Sequence, residues 1–360
     1  MAKEAAEGPV ASQHGDEDVP APITTMAYAS NQMLGSLLSD VSRSFYLTLR
    51  VLPSAIRPQV GLAYLLARTS DTIADTELVP LDKRLAALQS FRERIVGSKA
   101  TLLGFGEMAR QQASQAERVL LEKCEESFRL LSSLSSSDRE LVVGVLQIII
   151  SGQELDLRRF ALASSTNIVA LRVAEELDDY TYRVAGCVGE FWTRICRKHL
   201  FTSATLDDAF LLSNGSRFGK GLQLTNILRD LPVDLSHGRC YLPSEQLQTQ
   251  GLKPQDLLES RNESRLRPVY DAYLDKAESH LAAGWKYTNA LPRRSMRLRL
   301  ACAWPLLIGR RTLSLLRTGK VLDPAHRLKI DRSEVKRILW RSVVYYPWAK
   351  RWEQLFFSGL

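Results

Sequence analysis

The chain has 360 residues, of which 45% are hydrophobic and 24% charged, with 48 Lys and Arg against 40 Asp and Glu for a formal charge of +8. That apolar content is enough for a sizeable core. Its five cysteines, Cys124, Cys187, Cys196, Cys240 and Cys302, are scattered, odd in number and never spaced Cys-x-x-Cys, which argues against a disulfide framework or a zinc site and fits a reducing cytosol. The excess positive charge gathers between Arg293 and Arg351. It reads either as a solvated basic face or as an attraction for anionic substrates or a lipid surface. No nucleic-acid motif accompanies it, so no nucleic-acid partner is expected.

Residues 1–28 are polar and small, with no apolar stretch, and are expected to form a disordered tail rather than a signal peptide. From there on, apolar residues recur at three- and four-residue spacing. The spacing predicts helices over 33–52, 58–75, 81–97, 115–132, 138–161, 167–196, 205–230, 266–290, 294–318 and 333–345. Turn signals separate them at Leu52-Pro53, Val79-Pro80, the serine run before Asp138, Ser213 to Ser216, His237-Gly238 and Leu291-Pro292. Asp138 is expected to cap its helix. Residues 98–115 and 245–266 read as loops. The longest uncharged apolar run, Leu141 to Ile150, is far short of the roughly 20 residues that span a bilayer. The expectation is one all-α domain over 29–345, with a central cavity among its helices. Residues 346–360 follow as an aromatic and basic segment. That segment suits a membrane interface as well as it suits a helix packed on the core.

Two aspartate pairs stand out. Asp71-Thr-Ile-Ala-Asp75 and Asp230-Leu-Pro-Val-Asp234 each end an apolar helical run. Carboxylates four residues apart share one helix face and repel by a few tenths of a kcal/mol. A divalent cation would offset that, and magnesium takes one or two carboxylates together with phosphate oxygens and water. Such spacing on its own is usually a solvated face. Here each pair also has an arginine beside it, Arg68 or Arg229, able to grip phosphate bidentately. Gln223 and Asn226 extend the second pair into a polar stripe, which needs either such ligands or an interhelical hydrogen-bond network. Pro232 is expected to end or bend that helix before Asp234.

The motifs Ser42-Arg-Ser-Phe-Tyr46, Tyr64-x-x-x-Arg68-x-x-Asp71-x-x-x-Asp75, Tyr182-Arg-Val-Ala-Gly186-x-Val-Gly189-Glu190, Gln223-Leu-Thr-Asn226-Ile-Leu-Arg229-Asp230-x-x-x-Asp234 and Gly238-Arg-Cys-Tyr241-Leu-Pro243 resemble the squalene/phytoene synthase family over roughly residues 35–320. The resemblance implies an all-α isoprenoid-synthase fold with two aspartate-rich motifs facing each other across a cavity. It implies head-to-head joining of two prenyl diphosphates. Asp71, Asp75, Asn226, Asp230 and Asp234 would then bind Mg2+, and Ser44, Arg68, Gln223 and Arg229 would contact diphosphate directly or line its site. Tyr182 matches the tyrosine assigned to proton removal during cyclopropane formation, and Tyr64 another tyrosine of the site. Phe45, Tyr64, Tyr182 and Trp304 are candidates for cation–π contact with an allylic cation, or for plain core packing. Ala185, Gly186 and Gly189 would make room for a prenyl tail or allow close helix packing. Where many relatives carry an acid before the last aspartate, this chain has Val233.

The Asp-Thr-Ile-Ala-Asp-Thr wording favours the squalene type, which joins two farnesyl diphosphates and uses NADPH if the product is squalene. The alternatives are a product that stops at presqualene diphosphate or hydroxysqualene, a phytoene synthase acting on geranylgeranyl diphosphate, and a non-catalytic scaffold relative. The expected location is cytoplasmic, with peripheral association at the inner face of the membrane.

Overall fold

A computed structural model describes residues 45–98, 101–202, 204–323 and 328–357, with side chains from Thr48 onward. Ser44 and the segment 1–28 lie outside the described residues, as does the Phe45 side chain. The described residues form almost entirely helices, as the apolar periodicity predicts.

α1 (Phe45–Val51) leads to α2 (Arg57–Asp75), which opens with Pro58 in its first turn, where a missing N–H costs nothing. α3 (Leu81–Val96) ends at Gly97, whose φ of 81° is the left-handed stop that glycine adopts without strain. The stretch expected to be loop carries α4 (Gly106–Arg110). The helix expected over 115–132 is two, α5 (Gln115–Glu122) and α6 (Cys124–Ser133). α7 (Ser136–Arg159) is capped by Ser135, whose Oγ accepts from the Asp138 amide at 3.2 Å. Asp138 is therefore not the cap. It is buried in the first turn, where Lys198 and His199 hold its carboxylate.

The helix expected over 167–196 begins later than predicted. Val169–Ala170 form a short strand, β1, parallel to β2 (Arg239–Cys240). α8 (Ala174–Thr181) then passes through one π-helical turn, Tyr182–Gly186, into α9 (Cys187–Leu200). α10 (Asp208–Ser236) is capped by Asp207 and precedes β2. The expected loop after it holds α11 (Ser244–Gln248) and two 3-10 turns. α12 (Glu263–Ala290), α13 (Met296–Thr318), α14 (Arg332–Tyr345) and α15 (Ala349–Phe357) complete the order.

α10 does not stop at Pro232. Proline offers no N–H to the Leu228 carbonyl one turn back. Tyr270, fully buried on α12, donates its hydroxyl to that carbonyl at 2.8 Å. The backbone group freed by proline is thus satisfied from a neighbouring helix, and α10 carries both Asp230 and Asp234.

The core falls into two apolar clusters. One gathers α2, α3, α6, α7 and α9 around Phe91, Leu66 and Ile150. The other gathers α10, α12, α13, α14 and α15 around Tyr270, Leu281 and Leu306. Phe218 on α10 packs against both. The small residues on α9 and α10 serve contact between helices rather than space: a Cβ on Gly189 would meet the Gly215 carbonyl at 1.8 Å, and one on Gly219 would meet the Ala185 carbonyl at 2.0 Å. α15 turns Trp352, Leu355 and Phe356 inward, where Trp352 and Phe356 stack on Trp285. The packed-helix reading of the C-terminal segment therefore holds for that face of α15. Among the described residues no helix is long and apolar enough to cross a membrane.

Candidate active site

A cavity of about 670 Å³ opens between α2, α7, α8–α9 and α10. Its buried walls are apolar, with Val60, Val145, Ile149 and Phe191 among them. Its polar rim holds both aspartate pairs: Asp71 and Asp75 on α2, Asp230 and Asp234 on α10, with Tyr64, Arg68, Gln223 and Asn226 beside them. Residues far apart in sequence converge because α2 and α10 each carry their carboxylates on a cavity-facing stripe.

The arginines are already engaged. Arg68 is ion-paired with Asp71 on its own helix and with Glu117 on α5. Arg229 lies outside the cavity lining and grips Asp230, its Nε donating to Oδ1 at 3.0 Å and its Nη2 to the second oxygen. The outer member of each pair has less help. Burial, then the neighbouring Asp71 charge, push Asp75 up to about 7. Burial, then Asp230, push Asp234 up to about 7, against the pull of Arg239. Burial comes first in both shifts and repulsion between the paired carboxylates second, and the protein cations only partly offset them.

That is the electrostatic setting in which a divalent cation is favourable. Among the described residues no group of three or more His, Cys, Asp or Glu side chains forms a metal cage by itself. The donor set fits magnesium held jointly by one or two carboxylates, the Asn226 amide oxygen and the oxygens of a bound diphosphate.

Other expected residues lie elsewhere. Tyr182 does not line the cavity; Lys220 Nζ sits 5.7 Å from its ring centre and its ring packs near Gly186. The tyrosine facing the cavity is Tyr180. Tyr180, Val184 and Val188 recur at four-residue spacing and share the inner face, and Tyr182 points away from it. Trp304 donates its indole N–H to Ser342 at 2.9 Å, away from the cavity. Val233 is 43% exposed on the outer side of α10, so its replacement of an acid leaves the cavity rim unchanged.

Arg239, Tyr241 and Asp156 also line the cavity and carry no role in the sequence reading. Arg239, which follows the tight turn at Gly238, is the cation felt by Asp75, Asp156 and Asp234 alike. Tyr241 follows it, its ring stacked on Tyr180 with centres 5.0 Å apart. Asp156 sits on α7 and accepts a hydrogen bond from the Tyr241 hydroxyl at 2.9 Å. Arg239 and Tyr241 stand inside a motif visible in the sequence. Asp156 is visible there only as an acid within an apolar helical run.

The family model for squalene/phytoene synthase matches residues 38–334. A presqualene diphosphate synthase of Rhodopseudomonas palustris is 31% identical over 275 residues, covering 76% of this chain and 82% of that protein. A presqualene diphosphate synthase of Sinorhizobium fredii is 29% identical over 306 residues, covering 83% and 92%. In three dimensions the chain is similar to a solved complex of TcSQS with the ligand E5700, with a TM-score of 0.71 at 24% identity over 87% of this chain and 86% of that one, a likeness of fold.

Proposed function

We propose that this chain, which belongs to the squalene/phytoene synthase family, joins two farnesyl diphosphates into presqualene diphosphate. Head-to-head prenyl condensation follows from the family; the C15 substrate and the cyclopropane product are the finer reading. The observation that carries it is the convergence of two aspartate pairs, Asn226, Arg68 and Arg239 on the rim of one apolar cavity. The names of the two bacterial relatives support presqualene diphosphate as the product. NADPH enters only where such a reaction continues to squalene.

Magnesium, when bound, would neutralise the leaving diphosphate and so ease ionisation of the allylic C–O bond. Asp71, Asp75, Asn226, Asp230 and Asp234 would hold it. Arg68, poised between Asp71 and Glu117, exchanges a carboxylate partner for a phosphate oxygen. Arg229 keeps the Asp230 carboxylate oriented. The apolar walls hold the prenyl chains and keep water from the cation. Tyr180 and Phe191 line the cavity, where aromatic rings can stabilise that charge.

Asp71→Asn and Asp230→Asn should each lower turnover by about 10²-fold or more while the helical content stays unchanged, since each removes charge from the site where the leaving group is stabilised. Turnover unchanged in both variants would overturn the assignment and favour a non-catalytic role.

The surface supports association with a membrane that receives the long apolar chains of the product. Trp340, Val343, Trp348 and Phe357 are exposed on α14 and α15 and the turn between them. Lys336, Arg337, Lys350 and Arg351 are exposed on the same two helices. Aromatic and basic side chains together suit an anionic lipid interface. Co-sedimentation with anionic vesicles should fall in a Trp340→Ser/Trp348→Ser variant; equal binding by the variant would exclude this surface.

A further inference from the structure

Tyr180, Tyr241 and Asp156 form a chain whose direction follows from counting hydrogens. A neutral phenol has one O–H. Tyr241 gives its hydrogen to Asp156 Oδ2 at 2.9 Å. The other contact of that hydroxyl is Tyr180 Oη at 3.5 Å, so there Tyr241 accepts and Tyr180 donates. With its hydrogen turned toward Tyr241, Tyr180 presents oxygen lone pairs to the cavity it lines. The 3.5 Å link is the long member of the chain, of the kind that shortens once a substrate fills the site.

The chain is held rigidly. The Tyr180 and Tyr241 rings stack at an interplanar angle of 22°, and Phe160 meets Tyr241 edge-on with centres 5.1 Å apart. Tyr241 is buried. Asp156 Oδ1 is buried and makes no hydrogen bond among the described residues, an arrangement that structural packing alone does not favour. Burial pushes Asp156 up to about 6, against its bond from Tyr241 and the nearby Arg239 and Arg159. Burial likewise drives both phenols well above their usual range. At neutral pH the tyrosines are therefore neutral and Asp156 is ionised, with a basicity raised above that of an ordinary carboxylate.

We infer that Tyr241 and Asp156 are the proton sink behind Tyr180 for the step that closes the cyclopropane ring. The inference rests on the proposed condensation. In that step a C–H bond of the coupled cation breaks and its electron pair forms the last C–C bond of the ring. The proton passes to Tyr180 Oη as the Tyr180 hydrogen passes to Tyr241 and the Tyr241 hydrogen passes to Asp156 Oδ2. Both tyrosines end neutral and Asp156 ends as a carboxylic acid. Tyr180 is the group that takes the proton; Tyr241 and Asp156, which also line the cavity, act through it.

The test compares wild type with Tyr241→Phe, which keeps the ring stack, and Asp156→Asn, which keeps the shape. Farnesyl diphosphate and magnesium are supplied, and released diphosphate and presqualene diphosphate are counted separately in single turnovers. Wild type should release one diphosphate per cyclopropane product. Each variant should form that product at least ten-fold more slowly while ionisation continues, so the ratio of diphosphate to product rises and water-trapped farnesol appears. The double variant should be no slower than the slower single one, because the two residues serve one path. A half-saturating magnesium concentration within two-fold of wild type would separate this role from metal binding. Variants that keep the one-to-one ratio, whether at wild-type rate or with both quantities reduced together, would overturn the relay. Wild type that forms no condensed product at all would overturn the proposed function instead.

Discussion

Tyr270 satisfies the carbonyl that Pro232 leaves free within α10, and Tyr270→Phe tests that role. The substitution removes a single oxygen from a fully buried ring and leaves the packing in place. It strips the Leu228 carbonyl of the donor that replaces the absent proline N–H. A buried carbonyl left unsatisfied costs about 1–3 kcal/mol. Pro232→Ala supplies the missing amide, so in that background the same Tyr270→Phe change should cost about 0.5 kcal/mol or less. The difference is a coupling of at least about 1 kcal/mol between residues on two helices, within the range that contacting groups show. Guanidinium unfolding of the four proteins measures it, provided the slope with denaturant is common to all. An equal cost of Tyr270→Phe in both backgrounds would refute the claim that the tyrosine substitutes for the proline's missing donor.

Other expectations concern the frame around the site. Burial alone would raise Asp138, but hydrogen bonds from Lys198, His199 and Gln59 hold it at about 2. Because its folded pKa lies below the unfolded value, its stabilisation is complete above about pH 5 and is lost as pH falls toward 2, so Asp138→Asn should cost about 2 kcal/mol at pH 7. Stability curves of variant and wild type that stay parallel down to pH 2 would contradict this. Gly219→Ala forces a Cβ toward the Ala185 carbonyl, which a backbone atom cannot evade, and should destabilise by about 1–3 kcal/mol. A thermal midpoint equal to that of wild type would show that α10 and the π-helical turn before α9 are not in the contact described.

Much of this was legible because it is local. The apolar periodicity of 58–75 and 81–97 matches α2 and α3 to within a residue at each end, and both aspartate pairs sit on cavity-facing stripes as their four-residue spacing implies. What was missed depends on partners distant in sequence. Pro232 is read as a stop by local rules, and only Tyr270, 42 residues from Leu228, makes it harmless. Arg68 carries Glu117 as a second partner from 49 residues away, beyond any spacing argument. Residues 167–173 have helical periodicity but are drawn into a strand pair with 239–240. Tyr182 drew attention through its motif, whereas the four-residue spacing of Tyr180 with Val184 and Val188 marks the residue that faces the cavity. Tyr64 and Gln223 line the cavity as the resemblance implies, while Arg229 acts one step back, through Asp230.

The central claim is that the two aspartate pairs form one metal-dependent site for prenyl diphosphates. Product analysis after incubation with farnesyl diphosphate or geranylgeranyl diphosphate, with magnesium present or chelated, tests it most directly. The account predicts presqualene diphosphate from the C15 substrate, released diphosphate in equal amount, and loss of both when magnesium is removed. Condensation that persists undiminished under chelation would contradict the metal site, and exclusive formation of a C40 product would contradict the substrate.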